Sequence, residues 1–181
     1  DYQAYLDAFP DGVFAELGAG MARGQGDDVF SGIQNLIGTD GNDVILGDSN
    51  SNLLRGGRGN DVISGNDEND LIFGDAGHDI LHGDDGADEI LGGDGDDQIH
   101  GGLMTDVLLG EAGNDMVYGG RHGDWIHGGF GDDLLYGDDA GDWIFGGYGK
   151  DVIEGGDGND VLTGGPTVDR TYRETPLSPL G

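Results

Sequence analysis

Thirteen aspartates stand in one phase along this chain. Asp43, Asp61, Asp70, Asp79, Asp88, Asp97, Asp106, Asp115, Asp124, Asp133, Asp142, Asp151 and Asp160 are spaced by nine residues or a multiple of nine, and Asn52 takes the one missing place. Carboxylates in number can serve proton transfer or ligation of a hard cation. A series of equivalent aspartates is scaffolding and not a unique catalytic site, so ligation is the stronger reading. The chain has no cysteine, which removes thiolate metal sites and disulfides and leaves oxygen-ligated metal.

What positions the aspartates is a repeat. A glycine precedes each by five residues, running without a gap from Gly38 in steps of nine to Gly164. Two residues after each aspartate place stands an aliphatic side chain: Ile45, Leu54, Ile63, Ile72, Leu81, Ile90, Ile99, Leu108, Val117, Ile126, Leu135, Ile144, Ile153 and Leu162. In each unit the first six residues are turn chemistry. The last three read as a short β segment with its middle residue pointing inward.

The composition is unlike that of an ordinary globule: 181 residues include 41 glycines, 37 acidic and 7 basic residues, with a formal net charge of -30. Totals of this kind lean towards disorder. A disordered acidic tail, however, has no reason to keep an aliphatic residue in phase with a glycine and an aspartate. Disorder therefore remains a reading for the metal-free chain only. Nucleic-acid binding is excluded for want of Lys and Arg, and no apolar run approaches the roughly 18 residues of a membrane span.

Units such as GGRGNDVIS (56–64), GGFGDDLLY (128–136) and GGDGNDVLT (155–163) resemble the RTX (repeats-in-toxin, haemolysin-type) calcium-binding nonapeptide, G-G-x-G-x-D-x-U-x with U a large aliphatic. The resemblance covers residues 38–164. It implies an all-β fold, a right-handed parallel β-roll (a β-helix-like solenoid) with two nonapeptides per 18-residue coil and about seven regular coils. It also implies calcium between the turns of adjacent coils, held by the aspartate of each turn and by backbone carbonyls of its first four residues. The implied carbonyl ligands include Gly38, Gly41, Gly56, Gly57, Gly59, Gly74, Asp75, Gly77, Gly92, Gly93, Gly95, Gly110, Gly113, Gly128, Gly129, Gly131, Gly146, Gly147 and Gly149. Seven turns on each edge leave six gaps, so at most twelve interior sites are expected; twelve divalent ions would take the formal charge from -30 to -6.

The two edges differ. Turns opening at Gly38, Gly56, Gly74, Gly92, Gly110, Gly128 and Gly146 all have glycine at the fourth place. The other edge holds every departure: Asn50, Glu68, Met104, His122 and Ala140 at the fourth place, and Asn52 for aspartate. A non-glycine residue there must take a strained backbone or reshape the turn, so weaker, distorted or missing calcium sites are expected on that edge.

Residues 1–37 resemble the lead-in before many such arrays and are expected to cap the first coil: Val13, Ala15 and Leu17 alternate as a strand, and residues 24–31 read as a worn repeat. The alternative is a piece of a neighbouring domain. Residues 165–181 read as a terminal cap or linker. EF-hand loops are discounted because glycine every few residues forbids the flanking helices, and phosphate loops because no Walker lysine or βαβ unit follows. His82 and His100, one coil apart, form a candidate transition-metal pair or plain surface. One outer face carries Leu53, Leu71, Phe73, Leu91, Val107, Leu109, Trp125, Trp143, Phe145 and Val161, with Trp125 expected to stack over Trp143. An apolar stripe of this kind marks a contact surface or stands unpartnered. Its occupants would be other domains of a parent chain, copies of itself, or polysaccharide.

Three functions follow as expectations. The first is a non-catalytic calcium-dependent folding and type I secretion module of a larger secreted bacterial protein, active outside the cell. The second is a structural surface-layer, filament or adhesin component. The third is an accessory module of a polysaccharide-modifying enzyme.

Overall fold

The computed structural model describes residues 14–18, 21–23, 27–29, 34–166 and 170–172. Among these there is no helix, and so none long and apolar enough to cross a membrane. The chain winds as a solenoid between two sheets, and from Asn35–Ile37 onward strands pair in parallel with the strand 18 residues on. One register runs Ile63↔Leu81, Leu81↔Ile99, Ile99↔Val117 and Val117↔Leu135. The other runs Leu54↔Ile72, Ile72↔Ile90, Ile90↔Leu108 and Leu108↔Ile126. Parallel pairing follows because each return crosses a whole coil.

The fourteen aliphatic places of the repeat form the core. From Ile45 to Ile153 these side chains are fully excluded from solvent, and Leu36 and Leu162 pack against the ends of the stack. The residues on either side of each point outward, as the two-residue period of a strand requires. The core is thus one aliphatic per half-coil, stacked along the axis in two files that meet between the sheets.

The strands are longer than three residues. From Leu53–Arg58 to Trp143–Tyr148 each runs six residues, through the third place of the following turn. The cause is pairing between like turns of neighbouring coils, such as Gly57↔Asp75 and Arg58↔Ala76. In the 1–37 flank, Phe14–Glu16 adds to one sheet in parallel beside Val44–Leu46, and Ala15 and Leu17 are buried. Met21–Arg23 and Asp27–Val29 follow antiparallel, so the described part of residues 24–31 is not a coil of the roll. Val13 lies outside the described residues. At the other end, Arg170–Tyr172 pairs in parallel with Val152–Glu154.

Candidate metal sites on the two turn edges

Each turn of the solenoid brings an aspartate from its sixth place into the interior. All thirteen aspartates of the series and Asn52 are buried, none above 4% exposed. Their Oδ1 atoms form a ladder: the backbone N–H of each sixth-place residue donates to Oδ1 of the aspartate one coil on. Examples are Asp61 to Asp79 at 2.7 Å, Asp97 to Asp115 at 2.8 Å and Asp106 to Asp124 at 2.8 Å. The same bond runs down both edges, including Asn52 N–H to Asp70 at 2.7 Å.

The second carboxylate oxygen is a different matter. Oδ2 of Asp61, Asp70, Asp79, Asp88, Asp97, Asp106, Asp115, Asp124, Asp133 and Asp142 is buried and accepts no hydrogen bond. A buried ionised oxygen without a partner is costly. Burial accordingly pushes these carboxyls up, against the lowering effect of the ladder bond: to about 6 for Asp79, Asp88, Asp115 and Asp142. Asp61, Asp70, Asp97, Asp124 and Asp133 rise to about 7, and Asp106 to about 8.

Carbonyl oxygens converge on the same places. A Cβ added to Gly92 would lie 2.5 Å from Asp97 Oδ2 and 2.8 Å from the carbonyl oxygen of Gly110, one coil on. On the other edge a Cβ at Gly101 would lie 2.5 Å from Asp106 Oδ2 and 2.6 Å from the Gly119 carbonyl oxygen. Such a Cβ on Gly93 would overlap the Asp75 carbonyl, and one on Gly95 the Gly77 carbonyl. No group of three His, Cys, Asp or Glu side chains fit to hold a metal exists among the described residues, so the backbone must supply most of any ligand set. Orphaned carboxylate oxygens crowded by carbonyls make an all-oxygen donor set, which suits a hard cation of variable coordination such as Ca²⁺.

The first turn on each edge closes on itself. Asp43 Oδ2 accepts the N–H of Thr39 at 2.5 Å, and Asn52 Oδ1 accepts the N–H of Asp48 at 2.8 Å. The ladder therefore begins with hydrogen bonds to its own turn where the interior turns have bare oxygens.

The edges do differ in backbone. At the fourth place of one edge, Gly59, Gly77, Gly95, Gly113, Gly131 and Gly149 have φ between 112 and 153°, where only glycine is comfortable. On the other edge Glu68, Met104, His122 and Ala140 sit at φ of 69, 74, 77 and 85°, the left-handed region. The first edge is tied across coils by fourth-place N–H to third-place carbonyl bonds, from Gly59→Ala76 at 2.9 Å through Gly131→Tyr148 at 2.7 Å. On the second edge one such bond forms, Gly86→Leu103 at 3.3 Å. Both edges carry orphaned Oδ2 atoms; what separates them is how the backbone around those atoms is held.

Among the described residues the outer faces carry no comparable site. His82 and His100 stack at 4.8 Å with planes 13° apart, and the stack continues through Tyr118 and Tyr136. Ring-nitrogen lone pairs lie in these parallel planes and do not converge on a point, so the pair is a packing feature. Trp125 is in register with Trp143, but its ring stacks on His127 at 6.1 Å and tilts against Phe145 at 5.8 Å.

With this geometry in view, the chain matches the family model described as RTX calcium-binding nonapeptide repeat (4 copies) over residues 30–63, 46–81, 73–103, 100–135 and 136–169. Comparison with the curated proteins gives no match.

Proposed function

Since the chain belongs to the RTX calcium-binding nonapeptide-repeat family and so binds calcium, we propose that it is a calcium-dependent folding and secretion module of a larger secreted bacterial protein. The observation that carries the reading is the file of buried Oδ2 atoms without hydrogen bonds, from Asp61 to Asp142. A thin core cannot offset an ordering cost of roughly 1–2 kcal/mol per residue together with ten buried carboxylates that each leave one oxygen without a hydrogen bond. Calcium ligation neutralises those oxygens, so binding and folding are one process. In low calcium the chain stays open enough to pass a secretion channel; at the roughly millimolar calcium that extracellular modules use, it closes.

Within this reading the sixth-place aspartates and the carbonyls of the first four turn residues hold the ions, in at most twelve gaps. The edge from Gly38 to Gly146 binds more tightly than the edge from Gly47 to Gly155. Residues 1–37 cap the first coil, and residues 165–181 serve as a terminal cap or linker. Equilibrium dialysis of calcium at neutral pH tests the function: the expected result is several ions per chain taken up cooperatively, and one ion or none contradicts it.

A second reading has one observation in its favour. Trp143 is 55% exposed in a sheet face that also carries Trp125, Phe145 and Val161, which fits a component that assembles through that face.

A further inference from the structure

Arg55 has both an aromatic and an acidic partner on its outer face. Its guanidinium lies 5.7 Å from the centre of the Phe73 ring and pairs with the Asp75 carboxylate, through Nε to Oδ2 and through Nη2 to Oδ1 at 2.6 Å. Arg55–Asp75 is the only ion pair among the described residues. The repeat offers the carboxylate half of this arrangement again, without the arginine and with Leu109 in the place of Phe73. Glu111 occupies the turn place of Asp75 two coils on, reached through Gly93, and both residues have φ of 75°. The residue that stands to Glu111 as Arg55 stands to Asp75 is Leu91, which carries no charge.

Beside Glu111 a groove of about 650 Å³ runs along the roll from Asp94 to Pro166. Its acidic end is Asp94 and Glu111. Its other end is aromatic: Phe130 and Tyr148 stack at 5.2 Å with planes 8° apart, 63% and 61% exposed, with Phe145 and His127 on the floor. Neither Asp94 nor Glu111 has a cationic partner among the described residues. The four coil steps from Asp94 to the Pro166 end cover about 19 Å, the reach of roughly five or six extended residues.

We propose that this groove docks an extended polypeptide segment of a partner through an arginine set on Glu111 and Asp94, with an apolar side chain two or three residues further on against Phe130 and Tyr148. Two carboxylates without cationic partners, Asp94 and Glu111 on neighbouring coils, offer the planar acceptors that a guanidinium fork engages better than an ammonium, and Arg55 on Asp75 realises such a contact within the same face. The occupant is thus a basic–apolar peptide, complementary to a strongly acidic roll.

The inference needs the folded roll of the proposed function, so every sample is first checked for calcium-dependent β structure by circular dichroism. Failure there concerns folding, and failure of docking in a folded sample concerns this proposal. The probe is the N-acetylated, C-amidated peptide Gly-Arg-Gly-Gly-Leu-Gly, titrated calorimetrically into the calcium-loaded chain, against the same peptide with neutral citrulline for arginine. The expected result is at least tenfold weaker binding of the citrulline peptide. Glu111→Gln, or Glu111→Gly where the left-handed backbone demands it, lowers arginine-peptide affinity at least fivefold. Leu91→Arg does the same by supplying the guanidinium in cis, and Phe130→Ala weakens binding of the leucine end. Glu154→Gln, on the opposite sheet, leaves affinity within twofold. Equal binding of the two peptides overturns the proposal. So does a loss from Glu154→Gln as large as that from Glu111→Gln, which would mean diffuse charge attraction. Binding of a neutral oligosaccharide, or self-association of the chain through the groove, with no peptide binding, overturns it too.

Discussion

Oδ1 of Asp115 accepts the backbone N–H of Asp97 across the coil boundary at 2.8 Å, while Oδ2 of the same carboxylate is buried and accepts nothing. One oxygen is thus committed to holding coil on coil and the other is left for a cation. The same division recurs at every interior turn, so adding a cation and stacking a coil are coupled at each step.

Protons and calcium therefore compete for the same oxygens. Folding raises the ladder carboxyls from an ordinary value of 3.8 to about 6 to 8, chiefly by burial. Groups raised in the folded state keep their proton there, so the metal-free roll bears no ionisation penalty below about pH 4. The penalty grows as pH rises through the folded values and is complete above about pH 8. The metal-free chain is expected to gain β signal as pH falls from 8 to 4.5, with light scattering checking that it stays monomeric. Calcium midpoints should rise over the same descent. A metal-free chain equally unstructured, or equally folded, across that range contradicts the assignment of these carboxyls.

The two edges should respond unequally. Asp97→Ala removes a ligand from the edge whose turns are tied by successive cross-coil bonds, and Asp106→Ala removes one from the edge where a single such bond forms. The first change is expected to raise the calcium midpoint about tenfold or more, on the scale of lost ligand support, and the second clearly less. Equal shifts in paired calcium titrations remove the asymmetry.

The fourth place of the turn gives a conformational test. Ala140 holds φ of 85°, a left-handed backbone that costs roughly 1–2 kcal/mol for a residue with a Cβ. Ala140→Gly should stabilise the calcium-loaded roll by about 1 kcal/mol. Gly95→Ala should prevent the coil from closing, since φ is 133° and the Cβ would overlap the Gly77 carbonyl. Thermal unfolding in saturating calcium measures both. A destabilised Ala140→Gly runs against the account.

Much of this was legible in the residues, because phase is a one-dimensional property. Gly, Asp and aliphatic at fixed offsets give the coil, the buried carboxylate and the core file directly, and each of the thirteen in-phase aspartates from Asp43 to Asp160 is buried as its phase requires. Three things were not legible. Strands reach into the third place of the next turn because like turns pair across coils, a contact between residues 18 apart that local turn chemistry does not encode. The Arg55–Asp75 pair joins residues 20 apart on the outer face, where no repeated pattern announces it. The orientation of the Trp125 ring was missed for a related reason: register places Trp143 beside it, but rotamers decide which ring it meets.

Trp143 bears on the second functional reading. If the calcium-loaded chain assembles through the apolar sheet face, Trp143→Ala should lower its sedimentation coefficient towards that of the monomer, because a large exposed ring in such a face carries much of any contact. A wild-type chain that sediments as a monomer at every concentration tested counts against assembly.

The most direct measurement is far-UV circular dichroism of the chain at pH 7.5 against calcium concentration, with magnesium as the comparison. Folding coupled to filling of the aspartate ladder predicts little β signal without metal, a cooperative gain as calcium rises towards millimolar, and little response to magnesium. A full β signal in excess chelator, or no gain with calcium, contradicts it.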